Sequence, residues 1–234
     1  MSNDQTNEIF PEVLSGDGVS HLSRRKFFGL MGGAAAVITI GSACKKNHGG
    51  ENNSGINLGS GDAGVLNYAY ALEQLEAAFY TQVIKTPYKD MNAMEMAYLK
   101  DVRDHEIAHR EFFKAALASG AIPALEVDFS KINFNSRDSV LGTAKAFEDL
   151  GVSAYNGAGK LLVSADYLTI AGKIVSVEAR HAALIRDLIA PGSFADMTAV
   201  DAMGLDLVRT PNEVLSIAGA FLKSKLNASN LPTS

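Results

Sequence analysis

"VEARHAALI", residues 177–185, sets Glu178 and His181 three apart among residues that otherwise read as the buried side of a helix. "DHEIAHREFF", residues 104–113, repeats the arrangement with Glu106 and His109. Residues i and i+3 of a helix lie on one face, so each Glu projects beside its own His. A lone carboxylate on a core-facing stripe costs several kcal/mol unless it is paired or protonated, at roughly that scale for each group. An arrangement that occurs twice needs one explanation, and that explanation decides the fold.

Working outward from the two pairs, apolar residues recur at helical spacing over four long segments. Residues 62–84 align Leu66, Ala69, Glu73, Glu76, Tyr80 and Val83, and residues 93–119 align Met94, Tyr98, Val102, Glu106, His109, Phe113 and Ala116, with Gly120 as the stop. Residues 138–162 align Leu141, Ala144, Glu148, Val152, Tyr155 and Leu162. Residues 166–189 start on Asp166 as a cap and align Ile174, Val177, Glu178, His181, Ile185 and Leu188. No segment reads as a strand. Short turns make helices 1 and 2, and helices 3 and 4, antiparallel hairpins. The connection from Ala121 to Arg137, about 17 residues, can span about 55 Å extended, enough to run the length of a helix of about 40 Å. The fold class expected is therefore all-α: a four-helix bundle of two hairpins joined by one long crossover. A short C-terminal helix follows over "PNEVLSIAGAFLKSKL", residues 211–226, with Pro211 in its first turn.

Glu73, Glu106, Glu148 and Glu178 each fall on the inward stripe of a different helix, and Lys and Arg are nearly absent from those stripes. Two divalent ions supply the four positive charges that four carboxylates need, and neutral imidazoles from His109 and His181 complete the coordination. The set of one Glu from each of two helices and a Glu-x-x-His pair from each of the other two is the ligand pattern of di-iron and di-manganese carboxylate bundles.

An internal repeat sharpens the ligand set. "EQLEAAFY" places Tyr80 seven residues after Glu73, and "EDLGVSAY" places Tyr155 seven residues after Glu148. Superposing the halves sets Glu76 against Gly151, so Glu73 is the symmetric ligand. Glu76 is then an additional carboxylate: a further metal ligand, a hydrogen-bond acceptor behind the ligands, or a carboxylate on an entry path. Tyr80 and Tyr155 are either core aromatics with satisfied hydroxyls or catalytic groups that bond a ligand carboxylate or take part in radical chemistry. His105 lies off the stripe and reads as a surface histidine.

The chain has 234 residues, 47% hydrophobic and 20% charged, with a net charge of -5. No basic stripe is present to neutralise phosphates, which argues against nucleic acid as a partner. The single cysteine, Cys44, excludes an internal disulfide framework and any cysteine-rich metal site. Residues 22–44, "LSRRKFFGLMGGAAAVITIGSAC", join a basic pair to an uncharged Gly/Ala-rich run that is short for a membrane span. "SRRKFF" resembles the twin-arginine export motif, carried by Arg24 and Arg25, so residues 1–44 are expected to be a signal peptide. Cys44, after Ser42 and Ala43, resembles a lipoprotein processing site, although Gly41 stands where a larger aliphatic residue is usual. Residues 45–61, rich in Gly, Asn and Ser, read as a flexible tether, with the bundle over 62–190 and a C-terminal extension over 191–234.

With these residues in place the chain resembles the ferritin-like superfamily over roughly residues 62–190. Glu73 with Tyr80 and Glu106 with His109 resemble that superfamily's pattern, and Glu148 with Glu178 and His181 resembles the bacterioferritin pattern of a second Glu and a second Glu-x-x-His. "LEQLEAAFY" and "FEDLGVSAYNGA" are similar to bacterial ferritin-like proteins related to plant desiccation-associated proteins. The resemblance implies two iron ions, with manganese as the alternative, and oxygen or peroxide chemistry: ferrous iron oxidation, peroxide removal or substrate oxidation. A non-catalytic stress protein of the cell envelope is the other reading it leaves open. The expected setting is the periplasm or cell envelope, with a lipid anchor in the membrane. Homo-oligomers are compatible with it, whereas a tethered lipoprotein fits poorly into a closed storage cage.

Overall fold

The computed structural model describes residues 55–233. The signal-peptide reading over 1–44, with Arg24, Arg25 and Cys44, lies outside the described residues. Strand β1 (Ile56–Asn57) is followed by helices α1 (Gly61–Lys85), α2 (Ala93–Leu117), α3 (Arg137–Gly159) and α4 (Ala165–Ile189). The short α5 (Pro211–Ala218) and strand β2 (Leu226–Asn227) close the chain. α1 packs along α2 and α3 along α4, and α1 also meets α3, giving the expected bundle of two hairpins with a short C-terminal helix. No helix among the described residues is long and apolar enough to cross a membrane.

Side-chain caps fix where the helices begin. Asn92, Ser136 and Ser164 accept from the backbone N–H three residues on, and Thr210 with Glu213 forms a complete capping box ahead of Pro211. Ser164, not Asp166, is thus the cap of α4. The carboxylate of Asp62 accepts from Val163 and Ser164 N–H at 2.8 and 2.9 Å, which ties the start of α1 to the start of α4.

The crossover runs beside α1 from its first turns to beyond its end. Asn67, buried in α1, donates to the carbonyls of Leu58 and Gly120 and accepts from Ile122 N–H. One turn pair later Gln74 donates to the Pro123 carbonyl and accepts from Leu125 N–H. Phe129 and Phe134 then pack on Phe79 with ring centroids 6.0 Å apart. These contacts explain why α1 is buried on nearly every side while α2 and α4 each keep a solvated face.

Several local expectations need correction. Among the described residues there are two strands, each of two residues: β1 pairs with β2 in parallel, and Leu58 is fully buried, so Ile56–Leu58 belong to the folded body and not to a free tether. α5 stops at Ala218, because the residues beyond Phe221 are used as a strand: Lys223 and Ser224 N–H donate to Glu126 and Leu226–Asn227 pairs with β1. α2 ends at Leu117, where Ala118 takes a positive φ of 48°, ahead of Gly120. Along α2 the buried residues are Glu95, Leu99, Val102, Glu106 and Phe113, while Met94 and Tyr98 are exposed. A run of fours drifts by about 40° per step on a helix of 3.6 residues per turn, so stepping back from Glu106 and Val102 leads to Leu99 and Glu95. Glu95 can be buried because Arg137 pairs with it at 2.7 Å.

Candidate metal centre

The four inward glutamates and two histidines meet midway along the bundle. Glu73 (α1), Glu106 (α2), Glu148 (α3) and Glu178 (α4) are all fully buried, and the side chains of His181 and His109 are 5% and 13% exposed. His109 Nδ1 lies 2.9 Å from Glu178 Oε1, 3.4 Å from Glu73 Oε2 and 3.7 Å from Glu106 Oε2. His181 Nδ1 lies 2.8 Å from Glu106 Oε1, 3.5 Å from Glu148 Oε2 and 3.9 Å from Glu178 Oε2. Glu106 and Glu178 therefore turn one oxygen to each histidine, while Glu73 stays with His109 and Glu148 with His181. The result is two groups of four ligand atoms, each able to hold a metal ion: Glu73, Glu106, His109 and Glu178, and Glu106, Glu148, Glu178 and His181.

Hydrogen bonding within the cluster tests whether it fits a metal. Glu73 Oε2, both oxygens of Glu106, Glu148 Oε2, both oxygens of Glu178 and both Nδ1 atoms are buried without a hydrogen-bond partner. Their N to O separations are short enough for hydrogen bonds, but the atoms are not directed as donor and acceptor. Buried polar atoms left unpaired are rare and costly. Here all of them face two common centres, as ligand atoms must, and carboxylate oxygen with imidazole nitrogen is a donor set suited to iron or manganese.

The tyrosines cross over. Tyr80 on α1 donates to Glu148 Oε1 on α3 at 2.5 Å, and Tyr155 on α3 donates to Glu73 Oε1 on α1. α1 and α3 run antiparallel, and each carries its Tyr two turns beyond its Glu, so each hydroxyl falls opposite the other helix's carboxylate. Each tyrosine thereby occupies the oxygen of Glu73 or Glu148 that faces away from the histidines. Burial, reinforced by the facing carboxylate, holds both phenols far above their ordinary range, so they remain neutral donors. Beyond Tyr155, toward the start of α1, an apolar cavity of about 30 Å³ is walled by Leu72, Phe113, Ala154 and Ala158. Water needs polar partners to stay in such a space, and this lining offers few.

Glu76 is buried and belongs to neither group. A Cβ at Gly151 would lie 3.1 Å from Glu76 Oε1 and 3.5 Å from Glu178 Oε2, so the glycine leaves the room that this fifth carboxylate fills. His105 is exposed, as a surface residue should be, yet its Nδ1 lies 2.9 Å from His181 Nε2 and the two rings are nearly parallel at 10°. Periodicity could not find this contact, because it is made across helices from the edge of the inward face.

Protons and charges compete within the cluster. Burial opposes ionisation of Glu106, but the two imidazoles outweigh it and hold its carboxyl down at about 2. Burial pushes Glu73 up to about 7, and burial with the neighbouring carboxylates pushes Glu76 and Glu178 well above the usual range. Burial also disfavours imidazolium, yet Glu106, Glu178 and Glu73 hold His109 well above its ordinary value, and Glu106 and Glu148 push His181 up to about 11. Without metal, the cluster thus holds protons that a bound cation would replace.

Sequence reasoning missed Arg186, buried in α4. It forks onto Asp149 at 2.8 and 2.7 Å and also reaches Asp196 and Thr198, fastening the segment after α4 to α3. Its partners are distant in sequence or irregular in structure, so no periodicity marked it.

A model of the ferritin-like domain matches residues 61–191, more than half of the chain. No curated protein matches it.

Proposed function

The chain belongs to the ferritin-like family, and on that premise we propose that it is an exported redox protein that holds two iron ions, or two manganese ions, in this cluster. It would oxidise ferrous iron or consume oxygen or peroxide. The observation that carries the reading is the set of eight buried donor atoms, without hydrogen-bond partners, that face two centres from four helices. A bundle with no use for metal could replace inward carboxylates by apolar residues at little loss of stability.

One ion would lie among Glu73, Glu106, His109 and Glu178, the other among Glu106, Glu148, Glu178 and His181. Iron held by these residues would supply one-electron oxidation and reduction toward oxygen or peroxide. The chain's own contribution is placement. Glu106 and Glu178 offer one oxygen to each position and so couple the two. Tyr155 and Tyr80 donate to Glu73 and Glu148, which fixes those carboxylates with the second oxygen turned inward. The residues beyond Tyr155 on that side of the site are apolar.

We place the protein in the cell envelope, exported through the twin-arginine route and lipid-anchored at Cys44, on the strength of "SRRKFF" and the solitary cysteine at the end of the leader. Replacing Arg24 and Arg25 by lysine should leave the chain in the cytoplasm, and Cys44→Ala should release the exported chain from the membrane fraction. A membrane-bound Cys44→Ala protein would end the anchor proposal.

The first test of function is elemental analysis of native protein beside the Glu106→Ala/Glu178→Ala variant, followed by oxygen uptake on adding ferrous iron. Close to two metals per chain in the parent, near none in the variant, and a rapid stoichiometric uptake support the reading. Metal without any reaction toward oxygen or peroxide would leave the ions a structural role in neutralising the core, and the enzyme reading would be lost.

A further inference from the structure

We infer that His105 is a positioning residue that makes the two metal positions unequal, strengthening the one served by His181. The inference rests on the metal-binding reading above. It starts from the ring contact: His105 Nδ1 and His181 Nε2 are 2.9 Å apart, with ring centroids at 5.2 Å. His181 Nδ1 faces oxygens of Glu106, Glu148 and Glu178, so that nitrogen must present its lone pair when a cation is bound. The ring's proton then sits on Nε2, and the only role left to His105 Nδ1 is acceptor.

A hydrogen bond on the remote nitrogen of a ligating histidine fixes both its tautomer and its ring orientation, and raises its basicity toward the metal. Loss of such a partner typically costs about 10- to 100-fold in affinity. Carboxylates and backbone carbonyls usually play this part. Here a second imidazole does, placed immediately before the ligand Glu106 on α2 and reaching across to α4. The contact therefore also joins α2 to α4 at the level of the site.

The internal repeat shows that the device is one-sided. Aligning Glu106 with Glu178 and His109 with His181 sets His105 against Val177, whose side chain has no atom that can accept a hydrogen bond. The ligands of the two positions are symmetric, while the support behind their histidines is not. A protein loading two ions would then fill the His181 position first, and the second ion would enter the shared carboxylates already half neutralised.

The test is an anaerobic calorimetric titration of the metal-free full chain with ferrous iron, in the parent, His105→Ala and His105→Asn. The parent should bind two ions in two steps. His105→Ala should weaken the tighter step about 10- to 100-fold and merge it with the other. His105→Asn, whose side-chain oxygen can accept the same proton, should recover most of the loss. Unfolding of the metal-free proteins in urea should be alike, since His105 is exposed. Three isotherms that superimpose would overturn the inference while leaving the metal reading intact. An equal loss in both steps, or a His105→Ala chain destabilised without metal, would make the residue merely structural. A parent that binds no iron at all would sink the metal reading and this inference together.

Discussion

At the scale of single residues, the centre is an exercise in charge matching. Two dications would balance four carboxylates, and Glu76 is a fifth carboxylate beyond that balance. Nothing within the cluster neutralises it: burial and the charges of Glu178, Glu106, Glu148 and Glu73 all push its proton affinity up. Since neither ligand group includes it, Glu76→Gln should keep close to two metals per chain, as measured by elemental analysis. It should also stabilise metal-free protein by about 1–3 kcal/mol at pH 8 in urea unfolding, because the unfolded chain ionises this carboxyl freely whereas the fold resists its charge, and Gln removes that penalty at constant shape. Loss of one metal in that variant would make Glu76 a ligand after all. The sequence separated Glu73 from Glu76 through the repeat with Gly151, and the structure gives that substitution its physical sense, since the glycine makes the space. The six-residue cluster was legible because every one of its members sat on an inward stripe. His105 was not, because its partner lies across the bundle on α4.

At the scale of elements, what could be read was whatever repeats along a helix. Four long amphipathic segments and one long connection gave the architecture, whereas Asn67, Gln74 and Arg186 answer to irregular backbone far away in sequence and left no period. The C-terminal segment illustrates the same limit: its helix was expected to run to Leu226, but pairing with β1 and with Glu126 claims the last residues. How that segment lies on the bundle depends on Gly157 of α3. A Cβ there would stand 1.8 Å from the Arg209 carbonyl oxygen, while Arg209 N–H donates to the Ser153 carbonyl and its guanidinium to the Ser153 hydroxyl. A clash with backbone cannot be relieved by turning a side chain. Gly157→Ala should therefore lift residues 207–214 from α3 and destabilise the chain by about 2–4 kcal/mol, read as a lower urea midpoint. Hydrogen exchange should localise the loosening to α5, where Val214 and Ala218 are now fully buried. Metal content should stay at the parental level, since no ligand comes from that segment. An unchanged midpoint would show that the segment can shift without cost.

At the scale of the whole molecule, burying five carboxylates and two imidazoles in one cluster makes folding and proton binding a single equilibrium. Without metal, the folded state holds protons that the unfolded chain gives up. His181 is raised from 6.5 to about 11 and His109 is raised further, while Glu73 moves from 4.5 to about 7 and Glu76, Glu148 and Glu178 also move up. Each such group contributes stability that is complete below its unfolded value and is lost as pH rises toward its folded one. For the glutamates that loss begins near 4.5, and for the histidines near 6.5. Glu106 works in the opposite sense, but its loss falls between 4.5 and about 2, below this window. Metal-free protein should therefore become less stable from pH 5 to pH 9, by about 1.4 kcal/mol per pH unit for each proton retained only in the folded state. Bound cations replace those protons, so metal affinity should rise over the same interval and loaded protein should hold a nearly constant urea midpoint. The measurement is a set of urea unfolding curves at pH 5, 6, 7, 8 and 9, with chelator and with saturating manganese. Metal-free stability that rises with pH would mean that the carboxylates ionise inside the fold without the help of metal. The bundle would then need no cation to accommodate its core, and the charge argument from which the whole reading begins would fail.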